Sequence, residues 1–231
     1  MVNVLYDKAI TCPVCKNIFH TKKVRTSATR IEKRDTDFCT HYIGENPILY
    51  NVFVCPMCGY AALESGFEEI NAAGKKMIQE SISRRWTQRS FGEERTILEA
   101  IETYKLALLC SQILGHKKGT LANICLRIAW LYRYLSHEKE FEFLTHAVNC
   151  FEQAFANEPM PIGNLDDVSL TYLIGELHRM IGHYEEAVEW FGKAVSNPAI
   201  KTKKKIDTMA REQWRLAKDA YRKKSSHDQV G

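Results

Sequence analysis

Ile174-Gly175-Glu176-Leu177-His178-Arg179-Met180-Ile181-Gly182-His183-Tyr184-Glu185-Glu186-Ala187, with Phe191, Ala194 and Pro198 beyond it, is the stretch that decides the fold. Gly175, Ala187 and Ala194 set small side chains along two consecutive helical segments, Val168–Ile181 and Tyr184–Val195. Antiparallel helices approach closely only where such residues stand, because larger ones push the backbones apart. Gly182 breaks the chain between the two segments and Asn197-Pro198 ends the second.

Upstream the same spacing returns in weaker form. Ala129 and Tyr132, with Ala147, Phe151 and Ala154, fit it if the intervening turn is lengthened at Ser136-His137-Glu138-Lys139-Glu140, and Ala100, Tyr104 and Ala107 fit one helix of a first, degenerate unit. Apolar periodicity predicts helices over Thr96–Leu114, Leu121–Leu135 and Phe141–Phe155 as well, and a capping helix over Ile206–Lys224 with a polar, basic outer face. The pattern resembles the tetratricopeptide repeat, departing from it at Thr171, where Trp is usual, and at His178, where Tyr is usual. A helical bundle without true repeats is the plainer alternative. The resemblance implies a concave surface lined by Asn123, Arg127, Trp130, Arg133 and Tyr134 from one unit and Tyr172, Glu176 and Arg179 from the next. Exposed Trp, Tyr and Arg anchor interfaces, although Trp130 and Tyr134 would equally serve to pack neighbouring helices.

The front of the chain has another character. Runs rich in β-branched and aromatic residues, Val24 to Ile31 and Ile48 to Val54, lie among turn signals at Cys12-Pro13, Glu45-Asn46-Pro47, Cys55-Pro56 and Cys58-Gly59. Short strands are expected to deliver two turns to one point. Those turns are Cys12-Pro13-Val14-Cys15 and Cys55-Pro56-Met57-Cys58. Two Cys-x-x-Cys knuckles supply the four thiolates that a tetrahedral structural zinc requires, and Gly59 frees the backbone to take a positive φ after the last ligand. Iron in the same four thiolates is the chemical alternative. A thioredoxin-type redox pair would need one motif at a strand-to-helix junction, which is not the setting here. Cys39 and His41 form a further candidate pair, able to replace a knuckle residue, to add a ligand or to support the site from outside, though the plainer reading is that neither binds metal. Asp35 and Asp37 read as solvated charges on a strand. Cys110, Cys125 and Cys150 fall on apolar helix faces, where small thiols are ordinary packing.

Charge divides along the same lines. Basic residues outnumber acidic ones 13 to 9 over residues 1–90, are outnumbered 9 to 15 over 91–200, and lead 10 to 4 over 201–231, leaving a net +4 for the 231-residue chain. No run of about 18 apolar residues suggests a membrane span, and Met1–Lys8 does not read as a signal peptide, so a cytoplasmic protein with reduced thiols is expected. No phosphate loop, His-Glu-x-x-His or Gly-x-Ser-x-Gly occurs, and four thiolates leave a zinc no open position, so the sequence leans away from catalysis.

Taken whole, the chain resembles a bacterial domain-of-unknown-function family (number 2225). The resemblance rests on Leu5-Tyr6-Asp7-Lys8, Thr11 to Cys15, Arg34 to Cys39, Gly44-Glu45-Asn46-Pro47 and Val54 to Ala61. It implies a zinc-binding front and a repeat-containing back, and no activity.

The expected fold is mainly α: a small β-rich, zinc-ribbon-like module over residues 1–63, a connecting helix over 64–92, tetratricopeptide-like repeats over 93–200, the capping helix over 201–224 and a disordered tail over 225–231. The expected function is a zinc-stabilised scaffold or adaptor that binds a protein, peptide or helix on the concave face of its repeats. The alternative is RNA binding, with Lys16, Lys22, Lys23, Arg25, Arg30, Lys33 and Arg34 as the basic patch and Tyr42, Tyr50 and Phe53 to stack on bases. A metal-dependent or redox enzyme is the third reading.

Overall fold

The structure of the chain, a computed structural model, describes residues 4–228. Its first part is three antiparallel hairpins, each a two-stranded sheet of its own. Strand β1 (Leu5–Thr11) pairs with β2 (Ile18–Val24), Leu5 opposite Val24 and Thr11 opposite Ile18. Strand β3 (Arg30–Arg34) pairs with β4 (Thr40–Ile43), with a register shift between Ile31 and Lys33. Strand β5 (Val52–Val54) pairs with β6 (Ala61–Leu63). Two expected strands are shorter than the apolar runs that suggested them. The run from Ile48 starts as a 3₁₀ turn over Pro47–Tyr50, because the Asn46 side chain accepts from the Ile48 N–H and Pro47 fixes the first turn. The run from Val24 is interrupted by another 3₁₀ turn at Thr26–Ala28.

Residues 64–92 hold one short helix rather than a continuous one. Helix α1 (Ala72–Ser81) begins where the Asn71 side chain accepts from the Gly74 N–H, and 3₁₀ turns at Glu64–Gly66 and Ser83–Arg85 stand on either side. Then come α2 (Ile97–Ile113), opened by a capping box of Thr96 and Glu99, α3 (Lys118–Tyr134), α4 (Lys139–Asn157), α5 (Asp167–Met180), α6 (Tyr184–Ser196) and α7 (Lys204–Asp228). Helix α7 takes in residues 225–228 of the expected tail, and 229–231 lie outside the described residues. No helix among the described residues is long and apolar enough to cross a membrane.

The chain forms two compact units. The first gathers residues up to Asp35, Cys39–His116 and Ile124–Glu140. Here α2 packs its buried face, with Ala100, Ile101, Tyr104 and Ala107, against the β5–β6 hairpin. Arg95, only 6% exposed, ties that junction together. Its Nη1 donates to the carbonyls of Leu49 (3.0 Å) and Val52 (2.9 Å), its Nε to the Phe91 carbonyl (2.8 Å) and its Nη2 to Thr21 Oγ1 (3.1 Å). Burial lowers this guanidinium to about 10, so it keeps its charge at neutral pH.

The second unit comprises Thr36–Phe38, Lys117–Asn123 and Phe141 onward. Helices α5, α6 and α7 pack in succession around Val168, Tyr172, Ala187, Phe191, Ala194, Ala210 and Ala217. A Cβ added at Gly175 would stand 3.0 Å from the Phe191 ring, so α5 and α6 pack tightly where that glycine faces the ring. Every residue from Leu170 to His178 on α5 is buried.

Candidate metal centre

The first and third hairpins turn at the two knuckles, and both turns are built alike. In one, the Cys12 N–H donates to the Asn17 carbonyl and the Lys16 N–H to the Cys12 carbonyl. In the other, the Cys55 N–H donates to the Tyr60 carbonyl and the Gly59 N–H to the Cys55 carbonyl, all four bonds at 2.9 Å. The residue after the second cysteine is left-handed in each, Lys16 at φ 64° and Gly59 at φ 72°. Lys16 shows that the turn alone does not demand glycine. What demands it at Gly59 is Trp86, whose ring atoms would lie 2.5–2.9 Å from an added Cβ.

The hairpins bring the four sulfurs together. Cys12 Sγ lies 3.6 Å from Cys58 Sγ and Cys15 Sγ 3.5 Å from Cys55 Sγ, and all four fall within 4.8 Å of one another. A disulfide would need about 2.05 Å. Four thiolates about 2.3 Å from one tetrahedral ion stand about 3.8 Å apart. The set therefore fits a metal ion with little movement. Cys12, Cys55 and Cys58 are buried and Cys15 is exposed. Hydrogen bonding from the Cys12 and Cys58 sulfurs holds the Cys55 thiol down, to about 2, whereas Cys12 is pushed up to about 12, first by Cys55, and Cys58 is pushed up by Cys12 and Cys55. Sulfurs this close ionise together only beside a cation.

The 3₁₀ turn Ser83–Arg85 and Trp86 just after it brace the second knuckle, a part that nothing in the local sequence signals. Trp86 Nε1 donates to the Pro56 carbonyl (2.8 Å) and Ser83 Oγ to the Cys58 carbonyl (2.9 Å). Beneath it, Phe67 meets the rings of Tyr60, Phe53 and Phe19 at 5.0, 5.5 and 6.2 Å.

The predicted groove residues are mostly engaged within their own units. On α3, Arg133 donates from Nη1 to Asp35 (3.0 Å) and from Nε to Glu140 (2.7 Å), and the Tyr134 hydroxyl donates to the Thr40 carbonyl (2.8 Å). Asn123 donates to the Gly119 carbonyl (2.8 Å), while Arg127 and Trp130 are half-buried. On α5, Tyr172 and Glu176 are fully buried. Tyr172 donates to the Thr36 carbonyl at 2.7 Å, Glu176 accepts from the Thr36 hydroxyl, and the Phe38 and Tyr172 rings lie 5.6 Å apart. Arg179 holds Glu176 through Nε (2.8 Å) and Nη2 (2.7 Å).

Three expectations need correcting. Asp37 is fully buried rather than solvated. Tyr50 and Phe53, offered as base-stacking rings, are 1% and 2% exposed and belong to the core. The basic patch is partly neutralised, with Lys22 paired to Asp7 (2.9 Å) and Lys23 to Glu64 (2.6 Å). The remaining pair, Cys39 and His41, lies with Asp35 in a second cluster of donors within 4.8 Å of one another.

The sequence profile of a bacterial family, described as an uncharacterized protein conserved in bacteria (DUF2225), matches residues 5–217. An uncharacterized protein of Borreliella burgdorferi is 27% identical over 156 residues, covering 60% of this chain and 56% of that relative. The chain thus spans little more than half the length of that curated relative. No solved structure matches it. With a match that runs from the first strand into the last helix, the chain belongs to this bacterial DUF2225 family.

Proposed function

We propose that this chain is a zinc-stabilised interaction protein. Zinc in the four-cysteine centre organises the first unit, and tetratricopeptide-like helices in the second present a face that grips extended polypeptide. Four thiolates fill a tetrahedral ion and leave no position for water, so the zinc acts on folding. The repeat reading draws support from the close packing of Gly175 on α5 against Phe191 on α6 and from the full burial of Ala187 and Ala194. The observation that carries the functional reading is the grip of α5 on Thr36–Phe38. There a tyrosine hydroxyl takes a backbone carbonyl, a buried carboxylate takes a side-chain hydroxyl, and one aromatic ring seats another. Main-chain hydrogen bonds with side-chain seats on either side are the usual means of holding an extended segment. The partner is accordingly an extended protein segment carrying hydroxyl and aromatic side chains, in competition with the chain's own loop.

A labelled peptide with the sequence of residues 34–40 tests this by fluorescence anisotropy. It should bind a Thr36→Gly/Phe38→Gly variant, in which the seat has lost its resident side chains. Binding should weaken at least about tenfold when Tyr172→Phe is added, as expected for about 1.4 kcal/mol. A folded Thr36→Gly/Phe38→Gly protein that does not bind the peptide would remove the reading.

A further inference from the structure

The four-cysteine centre leaves a second group of donor side chains without a role. Asp35, Cys39 and His41 close the base of the β3–β4 hairpin loop, where the Asp35 N–H donates to the Cys39 carbonyl at 2.8 Å. A carboxylate oxygen, the thiol sulfur and a ring nitrogen lie within 4.8 Å of one another. We propose that these three side chains form a second metal site, separate from the first, for a divalent ion of the zinc class.

The donor set suits such an ion. Thiolate, imidazole and carboxylate all belong to the zinc repertoire at about 2.0–2.3 Å, and three protein ligands leave a coordination position open. Donors bound at those lengths sit about 3–4 Å apart, so on loading the Asp35–His41 pair, now at 2.7 Å, opens and the remaining separations, all within 4.8 Å, close. Cys39 is fully buried, while the side chains of Asp35 and His41 are 25% and 21% exposed, which gives the ion a path in.

The surroundings orient the ligands as metal sites require. Arg133 Nη1 donates to Asp35 Oδ2 at 3.0 Å and is itself held by Glu140 at 2.7 Å. The Tyr134 hydroxyl lies 3.4 Å from Cys39 Sγ, and its ring meets His41 edge-on at 5.5 Å.

Once loaded, the Cys39 thiolate, Asp35 and Glu140 would carry three negative charges beside Arg133, and a divalent ion would balance them. Lys33, 3.7 Å from Asp35, has a side chain 63% exposed, and water screens it. Without an ion, His41 Nε2 and Asp35 Oδ2 share a hydrogen at 2.7 Å. Loading costs Cys39 its thiol proton, and His41 offers the lone pair of one ring nitrogen while its hydrogen occupies the other.

The test is metal stoichiometry on the full chain. Wild-type protein dialysed against buffered zinc should hold two ions, and Cys39→Ser or His41→Ala one. In cobalt-substituted protein the second equivalent should add a weak single-thiolate charge-transfer band that Cys39→Ser abolishes, beside the strong four-thiolate band that remains. One ion in the wild type, unchanged by Cys39→Ser and His41→Ala, overturns the second site and leaves the first. One ion lost with Cys39→Ser but retained with Cys12→Ser does the reverse. Because the wild-type count alone decides between one and two, a variant that fails to fold does not shelter the proposal.

Discussion

Replacing Gly59 with alanine presses on the second knuckle through backbone and packing at once, and the two contributions can be separated. The residue sits at φ 72°, where an L side chain costs about 1–2 kcal/mol. The new methyl would also meet Trp86 Cδ2 at 2.5 Å, Cε3 at 2.6 Å and Cγ at 2.9 Å, distances at which the indole has to move. Trp86 does not move freely, because its Nε1 is bound to the Pro56 carbonyl. Overpacking against a fixed ring costs about 1–3 kcal/mol, so Gly59→Ala should destabilise by about 2–5 kcal/mol. In a Trp86→Ala background only the backbone part survives, about 1–2 kcal/mol. Lys16→Ala, at the equivalent turn position with φ 64° already taken by a side-chain-bearing residue, should change stability by no more than about 0.5 kcal/mol. Urea unfolding in excess zinc measures all three, with unchanged m-values showing that the same transition is compared. A cost for Gly59→Ala that is equal with and without the indole, or below about 1 kcal/mol, would refute the reasoning.

Two further outcomes follow from buried or half-buried charges. Arg95→Met leaves three carbonyls and the Thr21 hydroxyl without their donor in a site 6% exposed, and should cost about 3–5 kcal/mol by chemical denaturation; a cost under about 1 kcal/mol would show that the buried fork is dispensable. Glu64 is held below the usual carboxylate range because Lys23 (2.6 Å) and Lys8 (2.7 Å) outweigh the burial that pushes it up. The folded protein therefore binds fewer protons at this group than the unfolded chain does. The stability it lends is present above the ordinary carboxylate value of about 4.3 and drains away as pH falls through the lower folded value. Glu64→Gln should flatten that part of the stability profile below about pH 4, and an unchanged acid limb would exclude Glu64 as its source.

Local sequence patterns carried much of the architecture. The helix expected over Thr96–Leu114 forms as Ile97–Ile113, because Thr96 and Glu99 are a capping box written in the sequence itself. The paired knuckles were readable because the ligands come two to a turn. What failed depended on partners distant in sequence. Asp37 and Arg95 are polar residues that a local pattern assigns to solvent, and only the assembled fold surrounds them. Glu176 and Tyr172, expected on an open concave surface, are fully buried, and nothing near them in sequence announces that Thr36 and Phe38 will cover them. The apolar run from Ile48 starts as a turn for a local reason: Asn46 offers its side chain to the Ile48 N–H and draws that backbone into a turn before any strand partner can claim it.

The hydrogen bond from Tyr172 to Thr36 joins positions 136 apart, and during translation that separation is a delay. At about 5–20 residues per second, roughly 7–27 s pass between the addition of one and of the other. All four cysteines of the metal centre are made by residue 58, long before Tyr172. From residue 58 to Tyr172, which is most of this interval, the nascent chain has its four thiol ligands synthesised and its Thr36–Phe38 loop unseated. The four ligands of the candidate centre can thus meet an ion while the helix that will seat the loop is still unmade.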